Sequence, residues 1–270
     1  MSMYNDPVSK EHREFLRKVK FKNIEVKIAQ ILILIAFFGL WELAGVRGFI
    51  DPFLISMPSR MLKTIISLAQ NGSLFLHVWV TLSETLIGFA AGTVLGVLIA
   101  IVLWWSDFVS KVVEPYLIVL NSLPKTALGP VFIVWMGNNQ IPVITMALAI
   151  SLIVTIISVV TGFMQVDEDK IKLIKTFGGT KMQILTKVIL PASVPTIMSA
   201  IKINMGLSWV GVITGEFLVS KAGLGYLIVY GGQIFKLDIV MSSVLILSVM
   251  AALMYVLIDY IEKTILRGKY

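Results

Sequence analysis

Six runs of apolar residues divide this chain, at 28–46, 78–105, 112–136, 141–163, 196–219 and 239–261. Each is close to or above the ~20 residues that an α-helix needs to cross the roughly 30 Å hydrocarbon core of a bilayer. Inside lipid every backbone N–H and C=O must be bonded within the protein, and segments of this length meet that demand as helices. The remaining residues offer no escape into a water-soluble globule: 57% are hydrophobic and only 14% charged, too few to cover a chain of 270 residues. The sequence therefore predicts an all-α integral membrane protein with six transmembrane helices. A basic tail at 1–27 precedes one membrane domain at 28–270, and a separate soluble domain has no room. The polar tail and the lack of a small-residue cleavage site after the first run indicate that the first span is kept. With no cysteine, disulfides, thiol catalysis and cysteine metal sites are excluded.

Lysine and arginine give the orientation. With the N-terminus in the cytoplasm, the inner side receives seven basic residues from the tail, Lys111, five from 164–195 and three from the C-terminus. The outer side receives Arg47, Arg60, Lys63, Lys221 and Lys236, while Lys125 and Lys202 fall inside spans. This asymmetry predicts both termini on the cytoplasmic side of a bacterial inner membrane. It also accounts for the net charge of +7 without nucleic acid as a partner. The third span carries Pro115, Pro124 and Pro130, each expected to bend or break it. An outer segment from Pro58 to Gln70 places Met61, Leu62, Ile65, Ile66 and Ala69 on one face, and is expected to lie along the membrane surface.

The polar interruption at 164–195 needs a separate reason to exist. Asp167, Glu168 and Asp169 suit a helix N-terminus, and Gly178-Gly179 ends that first helix. Thr180 and Gln183 have the spacing of a capping box for a second helix, which Pro191 is expected to stop. A charged helix pair held between two spans suits docking onto a cytoplasmic partner.

Here the residues resemble a known family. Gly178, nine residues, then Val188-Ile189-Leu190-Pro191 has the spacing of the cytoplasmic signature of permease subunits of bacterial ABC importers, E-A-A, three residues, G, nine residues, I-x-L-P. Lys172, Leu173 and Ile174 stand where that signature has its acid and two alanines. Asn121-Ser122-Leu123-Pro124-Lys125-Thr126-Ala127-Leu128-Gly129-Pro130, Gly215-Glu216-Phe217 and Gly223-Leu224-Gly225-Tyr226-Leu227-Ile228 look like the nitrate, sulfonate and taurine branch of these permeases. The similar stretches cover roughly residues 78–262.

The resemblance implies a type I (MetI-like) importer fold and a set of partners. These are a second permease copy, expected as a homodimer, a cytosolic ABC ATPase dimer that binds ATP and Mg, an extracytoplasmic solute-binding protein and membrane lipid. Ile171, Lys172, Ile174, Lys175, Phe177, Gly178, Gly179 and Thr180 become the ATPase-coupling residues, with Ile171, Ile174 and Phe177 as the apolar wedge. The chain lacks the phosphate loop G-x-x-x-x-G-K-[ST], so it hydrolyses nothing itself and needs no cofactor of its own. The substrate class stays open between an oxyanion and an uncharged heterocycle such as a vitamin precursor.

Ionisable groups within spans are costly and mark either a path or a pairing. Lys125 after Pro124 fits contact with an anionic substrate, or pairing with Glu84, Glu216 or backbone carbonyls. Lys202 and Glu216 carry the same alternatives, and Asn121, Asn204 and Trp209 are weaker path candidates or interspan hydrogen-bonding groups. Gly88, Gly92 and Gly96 form a small-residue stripe for helix packing. His12 and His77 are too far apart in the chain's topology to form a metal centre or an acid–base pair. A secondary transporter would normally need more spans or inverted repeats and would follow an ion gradient without an ATPase, and an electrostatic scaffold would give no solute flux.

Overall fold

The computed structural model describes residues 10–267, and the chain divides after Lys63 into two compact units. In the first unit, α1 (Lys10–Val46) runs for 37 residues and takes in part of the basic tail as well as the first apolar run. Its Ile31, Leu32, Ile33, Leu34 and Ile35 are all exposed, an apolar circumference suited to lipid. Asp51 caps α2 (Pro52–Ile55) by accepting the Phe53 N–H at 2.8 Å. The following α3 (Pro58–Gln70), within which the division falls, occupies the whole segment expected at the surface, with Met61 buried and Leu62 and Ile66 exposed.

The second unit holds α4 (Ser73–Trp105), α5 (Asp107–Ser122), α6 (Gly129–Met136), α7 (Gln140–Met164), α8 (Glu168–Thr176), α9 (Lys181–Ile184), α10 (Leu190–Val219), α11 (Leu224–Gln233) and α12 (Leu237–Arg267). Among the described residues, five helices are long and apolar enough to cross a bilayer, or six when α5 and α6 are taken as one bent span. That bend measures 85°. Of the three prolines expected to cause it, only Pro124 sits at the break. Pro115 is carried inside α5, and Pro130 occupies the first turn of α6, where its missing N–H would have no intrahelical partner anyway.

Pro191 departs from expectation. It does not stop the second helix of the polar interruption. One turn of π-helix, Leu185–Ile189, joins α9 to α10, so a single apolar helix runs from Lys181 to Val219. The Leu190 N–H already reaches back five residues to the Leu185 carbonyl, so the proline lies just after a widened turn rather than in a tight i to i−4 ladder.

The core forms where α7 packs between α4 and α10. Side-chain size explains the closeness. A Cβ placed on Gly88 would lie 2.7 Å from the Ala147 Cβ, one on Gly92 2.6 Å from the Ser151 hydroxyl, and one on Gly96 2.6 Å from the Thr155 methyl. The Gly stripe of α4 thus faces a matching row of small residues on α7, in parallel register. On the other side α10 runs antiparallel: a Cβ on Gly211 would collide with the Ala147 backbone, at 2.8 Å from its nitrogen, and one on Gly215 would stand 2.8 Å from the Val143 Cα. Gly211→Val is expected to destabilise the purified protein by about 1–3 kcal/mol, the usual cost of overpacking. Gly206→Ala, with open space around its Cβ, should leave the thermal unfolding midpoint in mild detergent unchanged or raise it.

Candidate functional site

At one end of the bundle the polar interruption forms a compact projection. Asp167 caps α8 by accepting the Asp169 N–H at 2.9 Å. The helix closes with the Gly178 N–H on the Lys175 carbonyl and the Gly179 N–H on the Ile174 carbonyl, both at 2.9 Å. This is a Schellman end, and it requires the left-handed conformation that Gly178 adopts, at φ 73°. Gly179 is held for space, since a Cβ there would collide with the Ile174 side chain and stand 2.8 Å from the Ile174 carbonyl. The capping box forms as the spacing predicts: Thr180 accepts the Gln183 N–H at 3.3 Å, and Gln183 accepts the Thr180 N–H at 2.8 Å.

The projection is tied to the bundle through an apolar cluster of Ala100, Val159, Phe163, Ile184, Leu185, Ile189 and Ala200. Ile171 and Ile174 pack against this cluster. Both were expected on the outer wedge and both are half-buried, so part of each side chain is turned inward. The exposed apolar residues are Leu173, Phe177 and Met182, with Phe177 at 79% exposure. Lys172 is held by Glu168 at 3.5 Å and Asp169 at 3.3 Å, all in solvent, and Lys175 lies in the last turn of α8. Lys181, not singled out by sequence, donates to the Trp105 carbonyl at 2.6 Å with its amine over the Trp104 and Trp105 rings.

The opposite end gathers a second polar constellation. Glu216 is buried and accepts the Thr81 hydroxyl at 2.6 Å and the Gly225 N–H at 2.5 Å. The Thr81 oxygen in turn accepts the Leu224 N–H at 2.7 Å, and His77 Nδ1 accepts the Gly223 N–H at 3.0 Å. Three groups from α4 and α10 therefore satisfy the first N–H groups of α11, with an acidic group placed where the helix dipole favours one. Gly223 and Gly225 permit it, since a Cβ on Gly223 would overlap the Glu216 carboxyl and one on Gly225 would stand 2.8 Å from the Glu216 Cβ. Glu84 is equally buried and pairs with Glu216 through a carboxyl–carboxyl hydrogen bond. Sequence reading named Glu84 only as a partner for Lys125. Its place four residues before Gly88, on the face that bears the Gly stripe, was the available signal.

The remaining path candidates do not converge on one another. Lys125 donates to the Asn121 carbonyl at 3.0 Å, at the exposed end of α5. Lys202 binds Asp259 at 2.8 Å and also Glu262, which ties α10 to α12. Asn204 is fully buried and donates to the Thr93 hydroxyl at 2.6 Å and the Phe89 carbonyl at 3.3 Å, bridging α10 to α4. Trp209 packs with Met198, Met205, Met254 and Ile258. Among the described residues, no group of three or more His, Asp or Glu side chains is placed to hold a metal ion.

The family model described as binding-protein-dependent transport system inner membrane component matches residues 92–267. A Bacillus subtilis protein named as an aliphatic sulfonates transport permease, SsuC, is 26% identical over 86% of this chain and 84% of its own length. The taurine transport system permease protein TauC of Escherichia coli is 21% identical, covering 86% of each chain. The formylaminopyrimidine transport permease protein ThiX of Halalkalibacterium halodurans is 27% identical over 69% of this chain and 74% of its own. In fold, the chain is similar to an inward-facing MetNI methionine ABC transporter structure, with a TM-score of 0.61 and 20% identity over 71% of this chain and 94% of that one.

The Thr81 hydroxyl both donates to Glu216 and accepts from α11, so Thr81→Val strands two buried polar groups at once. A loss of about 1–3 kcal/mol in stability is expected, with Thr81→Ser retaining most of it. Unfolding of both variants in the same detergent checks this.

Proposed function

The chain belongs to the binding-protein-dependent transport system inner membrane components, the permeases of ABC importers, and from that premise we propose that two copies of it enclose the path of an importer for a small oxyanion. The observation that carries the proposal is the projection built on α8 and α9. An apolar knob of Leu173, Phe177 and Met182, held out from a cluster that locks its base, suits a groove on a cytosolic protein. In this reading ATP and Mg are bound by a separate ATPase dimer, both termini lie in the cytoplasm, and an extracytoplasmic solute-binding protein delivers the solute to the end marked by Glu216. The oxyanion follows from what SsuC and TauC are named as carrying. The name of ThiX supports a second reading, an uncharged heterocycle as solute.

Coupling in this scheme is mechanical. Closure of the ATPase dimer displaces the knob, and the displacement passes to the bundle through Ile171, Ile174 and the Lys181–Trp105 contact. A stiff turn at Gly178 is needed for this, and a β-branched residue there must adopt a left-handed backbone at a cost of about 1–2 kcal/mol.

Purification of the complex from mild detergent, with bound ATPase quantified and its hydrolysis measured, tests the reading. Phe177→Ala is expected to weaken ATPase association by about thirtyfold, the loss of an aromatic anchor. Gly178→Val should lower solute flux per ATP hydrolysed. Lys172→Ala, which removes only a solvated pair, should change neither. Wild-type chain that brings down no ATPase, in detergent and in nanodiscs alike, would overturn the proposal.

A further inference from the structure

Glu84 of α4 and Glu216 of α10 are each 1% exposed and are joined carboxyl to carboxyl. A carboxylate has no hydrogen to donate, so a hydrogen bond between two carboxyl groups requires that one of them be protonated. Their other partners say which. Glu216 accepts the Thr81 hydroxyl and the backbone N–H groups of Gly225 and Tyr226, a set of donors that suits a carboxylate. Glu84 has no hydrogen-bond partner other than Glu216, so it is the group with a hydrogen to give.

No cation takes the place of that hydrogen. Lys202 shows how this chain holds acids within the bundle, with Asp259 and Glu262 both on its amine. Among the described residues neither Glu84 nor Glu216 has such a partner. Titratable groups around the pair are few. From α4 comes His77, whose Nδ1 accepts the Gly223 N–H, and from α11 come Tyr226, stacked on His77, and Tyr230, stacked on Tyr226. The turn before α11 brings Lys221, an exposed residue that shares the lining of a cavity of about 180 Å³ with Glu84 and bonds to neither acid. Asp238 stands in the first turn of α12, which packs on α11, while α6 and α7 carry no titratable side chain.

We propose that the Glu84–Glu216 pair is a proton-binding site that latches α11: one proton, carried on Glu84 and donated to Glu216, holds the Glu216 carboxylate against the start of α11, and its loss opens this end of the bundle. Without that proton two carboxylates would stand in contact away from water, an arrangement that like charges do not sustain. Their separation takes the acceptor away from the Gly225 and Tyr226 N–H groups. In the open latch both acids meet water and ionise as ordinary carboxyls do, so opening releases one proton. The opening equilibrium therefore rises by about tenfold per pH unit, tight in acid and looser toward alkaline pH.

Hydrogen exchange of the α11 amides in nanodiscs tests the latch. For a peptide containing residues 224–227, the ratio of wild-type to Glu84→Gln exchange rates cancels both the base catalysis of exchange and the titration of His77. That ratio should rise by about tenfold per unit between about pH 6 and pH 8, because the glutamine amide donates to Glu216 at every pH. A ratio independent of pH would overturn the proposal. Lys221→Gln should keep the wild-type slope, and loss of the slope in that variant would transfer the pH response to Lys221 and overturn the shared proton. Glu216→Gln, which replaces the acceptor of three donors by an amide, should leave the start of α11 unprotected at every pH. Protection retained in Glu216→Gln but lost in Glu84→Gln would overturn the placing of the proton on Glu84. Infrared spectra of the wild-type chain read the proton without any variant: a protonated carboxyl band shielded from solvent should be present at neutral pH and disappear in step with α11 protection as the pH is raised. Its absence from the folded wild-type protein would overturn the proposal even where Glu84→Gln fails to fold.

Discussion

Close approach of α4 and α10 to α7 is the constraint on which the second unit depends. Lipid tails are as apolar as leucine, so helices in a bilayer gain little from simply burying apolar side chains against one another. Association rests instead on backbone proximity and on the polar groups that proximity permits. Gly88, Gly92 and Gly96 on one flank, and Gly211 and Gly215 on the other, supply the first. Asn204 supplies the second, reaching the Phe89 carbonyl and Thr93 from the place where its side chain also neighbours Gly92. Remove the small residues and the hydrogen bonds lose their geometry as well.

Both polar constellations hang from this three-helix contact, one at each end. Because α4 and α7 run parallel and α10 runs against them, the starts of α4 and α7 meet the end of α10. There Thr81 of α4 and Glu216 of α10 come within 2.6 Å of each other, close enough to hold α11 by its N-terminus. At the opposite end the ends of α4 and α7 meet the start of the α9–α10 helix, and Ala100, Val159, Phe163 and Ile189 close into one cluster. The helix pair borrows its base from that cluster. Its fixed orientation is a consequence of packing far more than of its own charged residues, which are solvated.

Much of this was legible in the sequence where a local rule decides the outcome. Apolar length set the spans, Thr180 and Gln183 set a capping box, Gly178 set a helix end, and the Gly stripe set a packing face. Reading failed where the outcome depends on a neighbour. Pro191 reads as a stop by its own chemistry, yet a π-turn placed just before it lets the helix continue. Ile171 and Ile174 read as an outward apolar wedge, but they pack on a cluster that α4, α7, α9, the π-turn and α10 contribute. Lys202 reads as a charge that either lines a path or pairs, and its partners Asp259 and Glu262 lie more than fifty residues on. Periodicity shows which residues share a face, and it does not show what that face meets.

One continuous helix links the two ends. From Lys181 to Val219 it covers 39 residues, about 58 Å at 1.5 Å per residue. Its first residue grips the Trp104–Trp105 corner, and Glu216, a turn from its last, grips α11. A rigid rod of this kind would move as one body, so a displacement at Lys181 would reach the Glu216 lock undiminished. The π-turn at Leu185–Ile189 changes that argument, since it is the one widened stretch assigned along this helix and sits between the projection and the membrane-spanning part. Pro195 lies inside α10 as a second break in its hydrogen-bond ladder, while further on Gly211 and Gly215 are clamped against the α7 backbone. The helix thus joins a closely packed span to a base that carries the widened turn, beside the α8–α9 projection and at the far end from the Glu216 lock.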